Sequence, residues 1–485
     1  MKRMKYLLLL CVPVVFACNK VLDVENRGNY TTANYWRNQA DAVDGITGIY
    51  NILLEEDFTG FGDFVYDNCS DDQFRAGDHP ELGDIENFTY DAANSAVKAP
   101  WRWKYEMLNR SNSALLYIPN ITNIDAAIKN RCLGEAHFFR AFAYWRLALI
   151  YGDVPMISEE DIKNVTYNKV KSPIADVYAQ IETDLKAAAI LLPESYSAAE
   201  AGRVSKGAAW GLLAKLYLYK SDFANTILYG DSVITNSNYA LAATYAANFT
   251  PATSNNSEML LNVQTLEGWG YSDFITYHAP RAWNGWDFFE PVKGLVDEFE
   301  NGDPRKDVCI MKPGDQINLG TEIATYTIDL SQTGYHYNKF CAWNSNGGLN
   351  YSFKYPLLRT ADIYLCVAEA KIRQTGAGAG DAEINAIRHR ASASLPAVSG
   401  AGMPALIHER RVELCGENER HQDLMRWDKA GIIDITAIYN QPKLTYDGST
   451  IVKARTFDRN KHYYFPLPQS EIDKSNGVLI QNGPY

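Results

Sequence analysis

The feature that most constrains this chain is a series of paired amphipathic helices. Across residues 131–151, Ala136, Phe139, Ala143, Leu147 and Ile150 recur at three- and four-residue spacing, which puts them on one face of an α-helix. Gly152 and Pro155 stop that helix. Val177, Ile181, Leu185, Ala188 and Leu192 mark another, closed by Pro193. Residues 35–54 carry Ala42, Ile46, Ile49 and Leu53 on one face. Helices are also expected at 101–118, 205–219 and 223–234, and at 361–374 and 382–393 around the glycine-rich turn 376–380. Each pair sets Ala where two helices must approach, with a ring a turn away: Ala208, Ala214 and Tyr217, or Ala368, Ala370 and Tyr364. Units of this kind bury their faces on one another, as tetratricopeptide hairpins do. The expected fold class is mainly α, a tetratricopeptide-like helical superhelix; a non-repetitive helical bundle is the plainer alternative.

Two stretches break the helical period. Residues 55–95 are rich in Asp, Gly, Asn and aromatics, and a loop this long in a compact chain is usually functional or disordered. Residues 239–355 hold Trp269, Trp283, Trp286 and Trp343, many Gly and Asn, and short strand-like pieces such as 325–328. The chain of 485 residues then divides into a leader at 1–18 and an N-terminal helical part at 19–238 with a binding loop at 55–95. A loop-rich, partly β subdomain follows at 239–355, and a C-terminal helical part at 356–485 completes the superhelix. The 31 Tyr and 10 Trp exceed what a core needs, and such rings suit a surface that meets something flat and polar.

The leader has a basic start (Lys2, Arg3, Lys5) and an apolar run at 6–16, too short to span a bilayer. It ends in Val15-Phe16-Ala17-Cys18, which looks like a bacterial lipobox. The Cys18 thiol would carry the lipid, and Asn19 after it favours the outer membrane. No second apolar run is long enough to cross a membrane. Cys69, Cys132, Cys309, Cys341, Cys366 and Cys415 form no CxxC pair, so a zinc site is not expected from them. Cys132, Cys366 and Cys415 read as small core residues, and a Cys309–Cys341 pairing stays open. The formal charge of −12 argues against nucleic acid and against a charge-based grip on anionic membranes. It suits neutral ligands.

Catalytic signatures are missing. No GxSxG, HExxH, P-loop, GxGxxG or calcium-loop motif occurs, and His408-Glu409 is followed by Val412 where a zincin needs His. The adjacent pairs Glu55-Glu56 and Asp71-Asp72 are poorly placed to face each other across a scissile bond. The chain is therefore expected not to be an enzyme and to need no cofactor or metal. Whether a structural calcium sits in an acidic loop stays open.

Trp101-x-Trp103-x-Tyr105 through Asn109, Arg140-Ala141-Phe142-Ala143-Tyr144 with Tyr151-Gly152-Asp153-Val154-Pro155, and Arg203-Val204-Ser205-Lys206-Gly207 with Leu213-Ala214-Lys215 form an ordered set of segments. Together they resemble the SusD/RagB family of outer-membrane nutrient-binding lipoproteins. Phe299 with Asp303-Pro304-Arg305 is similar to the family's DPR turn. Glu409-Arg410-Arg411-x-Glu413-Leu414 with Arg420, Asp423-Leu424 and Arg426-Trp427 resembles its ERRxEL…RxxDLxRW helix, and residues 464–468, 471–472 and 481–482 resemble its ending. Gly483-Pro484-Tyr485 inverts the usual PG order of that ending. The ordered set, with the lipobox, covers almost the whole mature chain.

The resemblance implies a helical superhelix decorated by loops, partnered with a SusC-like TonB-dependent transporter and tethered to outer-membrane lipid through Cys18. It implies glycan capture at the cell exterior by aromatic stacking, with Asn, Asp and Arg bonding the hydroxyls. The residues expected to bind sit in the two irregular regions: Asn68, Asp71, Asp72, Phe74 and Arg75 in the first, and Trp269, Tyr271, Trp283 and Trp286 in the second. Asp67, Ser70, Asp78, His79 and Tyr277 are neighbours of these, and Trp343 and Asn346 are weaker candidates. The charges on Arg410, Arg411, Glu413 and Asp423 are expected to form a structural ion network, and Arg140, Tyr144 and Trp145 to pack between repeats. Alternative readings keep the uptake role with a peptide or glycopeptide ligand, or make the chain a tetratricopeptide scaffold or a glycoside hydrolase.

Overall fold

The computed structural model describes residues 35–56, 58, 66–268, 273–392 and 395–485. The lipobox Cys18, Trp269 and Tyr271 lie outside the described residues.

Ten longer helices carry the architecture: α1 (Gln39–Tyr50), α2 (Ser95–Tyr117), α3 (Ala126–Tyr151), α4 (Ile174–Leu191), α5 (Lys206–Tyr219), α6 (Phe223–Ile234), α7 (Thr360–Thr375), α8 (Asp381–Ala391), α9 (Met403–Glu413) and α10 (Arg420–Lys429). The expected helices are present, with ends set by caps. Helix α2 starts earlier than its periodicity suggests because the Asn94 side chain accepts from the Ala96 N–H. Asp125 caps α3 in the same way, and Gly152, at φ 72°, ends it. Within the first irregular stretch the structure forms a short helix, Pro80–Asn87, which buries Leu82 and Ile85. Pro at its first turn and so short an apolar face hid it from periodicity.

The packing is that of a superhelix of helical hairpins. Helix α3 lies between α2 and α4, α4 packs on α5, and α5 on α6. Helix α7 then packs on both α5 and α6, although the whole of 235–359 separates it from them in sequence. Small residues set the approach. A Cβ at Gly230 of α6 would stand 2.2 Å from Val367 Cγ2 of α7, and one at Gly211 of α5 would stand 2.9 Å from Leu260 Cδ1. A larger residue at Gly230 would push α6 off α7, and one at Gly211 would displace the Leu260 side chain of the strand packed there.

Buried charges pin the helices. Arg140 of α3 donates to both Asp184 oxygens of α4 (2.8 and 2.7 Å) and to Asn112 Oδ1 of α2 (2.8 Å). The Tyr144 hydroxyl donates to the Ile157 carbonyl. At the other end of the chain, Arg410 of α9 holds Asp423 of α10 (2.7 Å) and Asp362 of α7 (2.9 Å), while Lys215 of α5 reaches Asp362 (2.6 Å) and Glu419 (2.7 Å). Arg359 contacts Glu258 (2.6 Å), Glu413 (3.0 Å) and Glu417 (2.7 Å), and Arg305 and Arg390 also pair with Glu413. Burial raises the Glu413 carboxyl, but the charges of Arg390, Arg359 and Arg305 overcome it and bring it down to about 2. The charged motif on α9 is thus a structural network.

Between α6 and α7 lie short helices and most of the strands. Ten short strands occur among the described residues, paired two by two and antiparallel. They are β1 (Gln73–Arg75), β2 (Met259–Asn262), β3 (Phe289–Pro291), β4 (Ile310–Met311), β5 (Gln316–Asn318), β6 (Ile323–Thr325), β7 (His336–Tyr337), β8 (Pro356–Arg359), β9 (Lys443–Leu444) and β10 (Thr450–Val452). The pair β2–β8 seats the insertion on the helices, since Leu260 also packs against Gly211 of α5. The pair β1–β3 joins the first irregular region to the second, with Phe74 opposite Glu290 and Arg75 opposite Phe289. The remaining cysteines are free thiols; Cys309 Sγ lies 3.2 Å from the Tyr245 hydroxyl, and Cys341 Sγ contacts the Tyr337 carbonyl. Among the described residues no helix is long and apolar enough to cross a membrane.

Candidate ligand-binding face

The β1–β3 pairing brings the two candidate regions to one edge of the molecule. Asn68, Asp71, Asp72 and Phe74 lie beneath that edge. Asn68 is fully buried, and its Oδ1 accepts from Gln73 Nε2 at 2.8 Å. Asp71 receives both a 2.9 Å bond from Arg420 Nε and one from Nη2. Asp72 accepts from Arg411 Nε at 2.7 Å. Phe74 packs with Ala76, Val292 and Val452 in a small buried cluster. These four are committed to protein partners. Arg75 is half-buried, with its guanidinium over Gly83.

Asp67 is buried next to them and accepts from the backbone N–H groups of Asn418 (3.0 Å) and His421 (3.4 Å) at the start of α10. Burial, then the nearby Asp72 charge, pushes its carboxyl up to about 7 despite those bonds.

Outward from this layer stands a tight turn, residues 280–287. The Gly285 N–H donates to the Pro280 carbonyl (2.9 Å) and the Trp286 N–H to the Thr276 carbonyl (2.6 Å). A Cβ at Gly285 would collide with the Ala279 carbonyl at 1.8 Å, so only glycine fits. Asn284 and Asp287 hold φ of 70° and 56°, a region Asn and Asp enter more readily than other side chains. The turn fixes two indoles in different ways. Trp283 is half-buried, edge-on to Tyr326 (5.9 Å between centroids) and to Trp343 (6.0 Å), whose Nε1–H donates to the Trp283 carbonyl. Trp286 is 40% exposed and rests on the buried rings of Tyr277 (5.5 Å) and Phe288 (5.7 Å). It is an apolar plate on a rigid seat.

Polar groups surround the plate. Arg281 is exposed, donates from Nε to the Trp286 carbonyl (3.1 Å), and lies 3.7 Å from exposed Asp78. His79 stands edge-on to Phe288 at 4.7 Å and contacts Glu81 through Nδ1. Asn284 donates to the Gly347 carbonyl, linking this turn to the one that carries exposed Asn346. Arg281 and Asn284 were not singled out from sequence; their position beside Trp283 in an irregular segment was the available signal. An exposed indole framed by guanidinium, carboxylate, imidazole and amide groups can stack on the C–H face of a sugar ring while its hydroxyls are bonded from the side.

A superhelix of helical hairpins carrying an exposed aromatic ring on an irregular face defines the architecture, and known proteins share it. Residues 235–485 match the SusD family, and residues 22–218 match a family described as starch-binding and associating with the outer membrane. The chain belongs to the SusD family. It is 24% identical to SusD-like protein P2 of Formosa agariphila over the full length of both chains. It is 26% identical to the starch-binding protein SusD of Bacteroides thetaiotaomicron over 72% of each chain. A laminarin-binding SusD-like protein of known structure superposes with a TM-score of 0.76 at 25% identity, covering 93% of this chain and all of that one. A SusD-like carbohydrate-binding protein of Bacteroides fragilis gives 0.80 at 24% identity, covering 92% of this chain and 99% of that one, which supports the fold. At the level of the family these are carbohydrate-binding proteins associated with the outer membrane, named for binding and not for catalysis.

Proposed function

We propose that this protein is a lipid-anchored glycan-binding protein of the cell exterior. It captures an oligosaccharide or polysaccharide segment on the Trp286 face and delivers it to a SusC-like TonB-dependent transporter, without cleaving it. The observation that carries this reading is the exposed Trp286 ring, seated on Tyr277 and Phe288 and framed by Arg281, Asp78 and His79. In sequence, Trp283, Trp269 and Tyr271 belong to the same aromatic stretch as Trp286. Anchoring rests on Cys18 at the end of the lipobox.

The test is calorimetry of the leaderless chain against laminari-oligosaccharides, malto-oligosaccharides and a wider glycan panel, with chromatography of the ligand afterwards. Micromolar-to-millimolar binding to one glycan class, lost in Trp286→Ala, with the ligand recovered intact, supports the reading. Binding to peptides alone, or a shortened glycan, rejects it. Protease treatment of whole cells that spares the wild type as fully as a Cys18→Ala variant would reject the exposed anchor.

A further inference from the structure

Beneath the Trp283–Trp286 turn, three side chains from three segments converge. Asp287 ends the turn, Glu290 lies on β3 and His336 on β7, which packs beside β3. All three are buried, and their ligand-type atoms lie within 4.8 Å of one another. Each is oriented by a neighbour. The Glu290 carboxylate accepts from the N–H groups of Gln332 (3.0 Å) and Thr333 (2.6 Å). His336 Nδ1 is 2.6 Å from the Tyr326 hydroxyl, and Nε2 is 2.9 Å from Asp287 Oδ1.

The charges do not balance. Elsewhere the buried carboxylates Glu258, Asp362, Glu413 and Asp423 all meet Arg or Lys. Among the described residues neither Asp287 nor Glu290 has such a partner, and His336 is the one basic group paired with them. The Tyr326 hydroxyl, itself 3.1 Å from Ser331 Oγ, holds the His336 ring at Nδ1 and leaves Nε2 turned to the Asp287 carboxylate at 2.9 Å.

We propose that Asp287, Glu290 and His336 bind a divalent transition-metal ion of the Zn²⁺ class. One imidazole nitrogen and two carboxylate oxygens leave a fourth position open, and an outer partner on the far imidazole nitrogen is the usual support of a metal-ligating histidine. Calcium prefers six to eight oxygens and takes no imidazole, so this set disfavours it. Tetrahedral zinc holds its ligand atoms about 3.4 Å apart, so loading spreads the 2.9 Å Asp287–His336 pair slightly and seats Glu290 against the same ion. Asp287, whose side chain is 10% exposed, is the way in. The ion would fasten β3, β7 and the aromatic turn to one another, because Asp287 follows Trp286 and Tyr326 packs on Trp283. The sequence hides the set, since His336 lies far along the chain from the other two.

The experiment takes the leaderless chain, strips it with EDTA and titrates Zn²⁺ by calorimetry and chelator competition. Bound metal is counted by mass spectrometry after gel filtration. One ion per chain is expected, with a Tm rise of several degrees. Asp287→Asn and His336→Gln, which keep shape, should each weaken Zn²⁺ at least about 100-fold. Glu290→Gln is the second variant if either fails to fold by circular dichroism. The proposal falls if folded wild-type protein retains no zinc. It also falls if the variants bind as well as wild type, which would mean an adventitious ion only, or if equimolar Ca²⁺ displaces Zn²⁺.

Discussion

The helical body and the inserted region at 235–359 solve the same problem with different means. In the body, helices meet at Ala and Gly contacts, and buried charges close into networks such as Arg410 with Asp362 and Asp423. In the insertion, two- to four-residue strands hold little by themselves. Aromatic contacts among Phe274, His278, Phe340 and Tyr355 fill the space instead, and one buried pair of carboxylates lacks an Arg or Lys among the described residues. The difference teaches where variation is tolerated. A saturated network fixes every member, whereas an aromatic cluster under a turn lets the exposed ring and its polar frame change while the seat stays.

The largest expected effect breaks the body. Arg410→Ala leaves Asp362 and Asp423 short of a buried partner and should cost about 3–5 kcal/mol in urea unfolding. Ligand affinity of the folded fraction should stay within about twofold.

Asp67 sits where the two regions meet and offers a pH test. Its carboxyl titrates at about 7 in the folded chain, above its unfolded value of 3.8, so folding favours the protonated form. Its contribution is fully present below the unfolded value and is lost as pH rises through about 7. The loss is on the order of a few kcal/mol. Asp67→Asn should therefore gain stability relative to wild type between pH 5 and 8, read as a difference in Tm at each pH. An unchanged difference would sink the assignment.

Gly230→Val should cost about 1–3 kcal/mol by forcing α6 off Val367, and Val367→Ala in the same chain should restore part of it. The smallest effect on stability belongs to the insertion's surface. Trp286→Ala should change unfolding free energy by less than about 1 kcal/mol yet weaken glycan binding at least about tenfold, or about 1.4 kcal/mol. If Trp286→Ala destabilised the fold as much as Arg410→Ala, the contrast between regions would be wrong.

Much of the body was legible in the sequence, because a 3.6-residue period and Ala or Gly at crossings are local signals. The structural role expected for Arg410 and Arg411 follows from their place on an amphipathic helix, and both pair with carboxylates in the structure. The candidate site was legible only as a region. Asp71 and Asp72 look like free acids in a loop, but their Arg partners lie 349 and 339 residues away. Trp283 and Trp286 look alike in sequence. Their different exposure comes from Gly285, which folds the turn, and from Tyr326 and Trp343, which meet Trp283 but not Trp286 across long separations.

The docking of α7 on α5 and α6 sets the order in which this chain can assemble. The α6–α7 contact spans about 125 intervening residues, and closing such a segment costs chain entropy that grows with the logarithm of its length. The hairpins α3–α4 and α5–α6 join neighbours along the chain and can form early. The C-terminal helices must wait until 235–359 has collapsed and brought α7 back. Refolding should thus show a fast phase in far-ultraviolet circular dichroism and a slow phase reporting burial of Trp427 on α10, the kinetic signature of high contact order in a mostly helical protein.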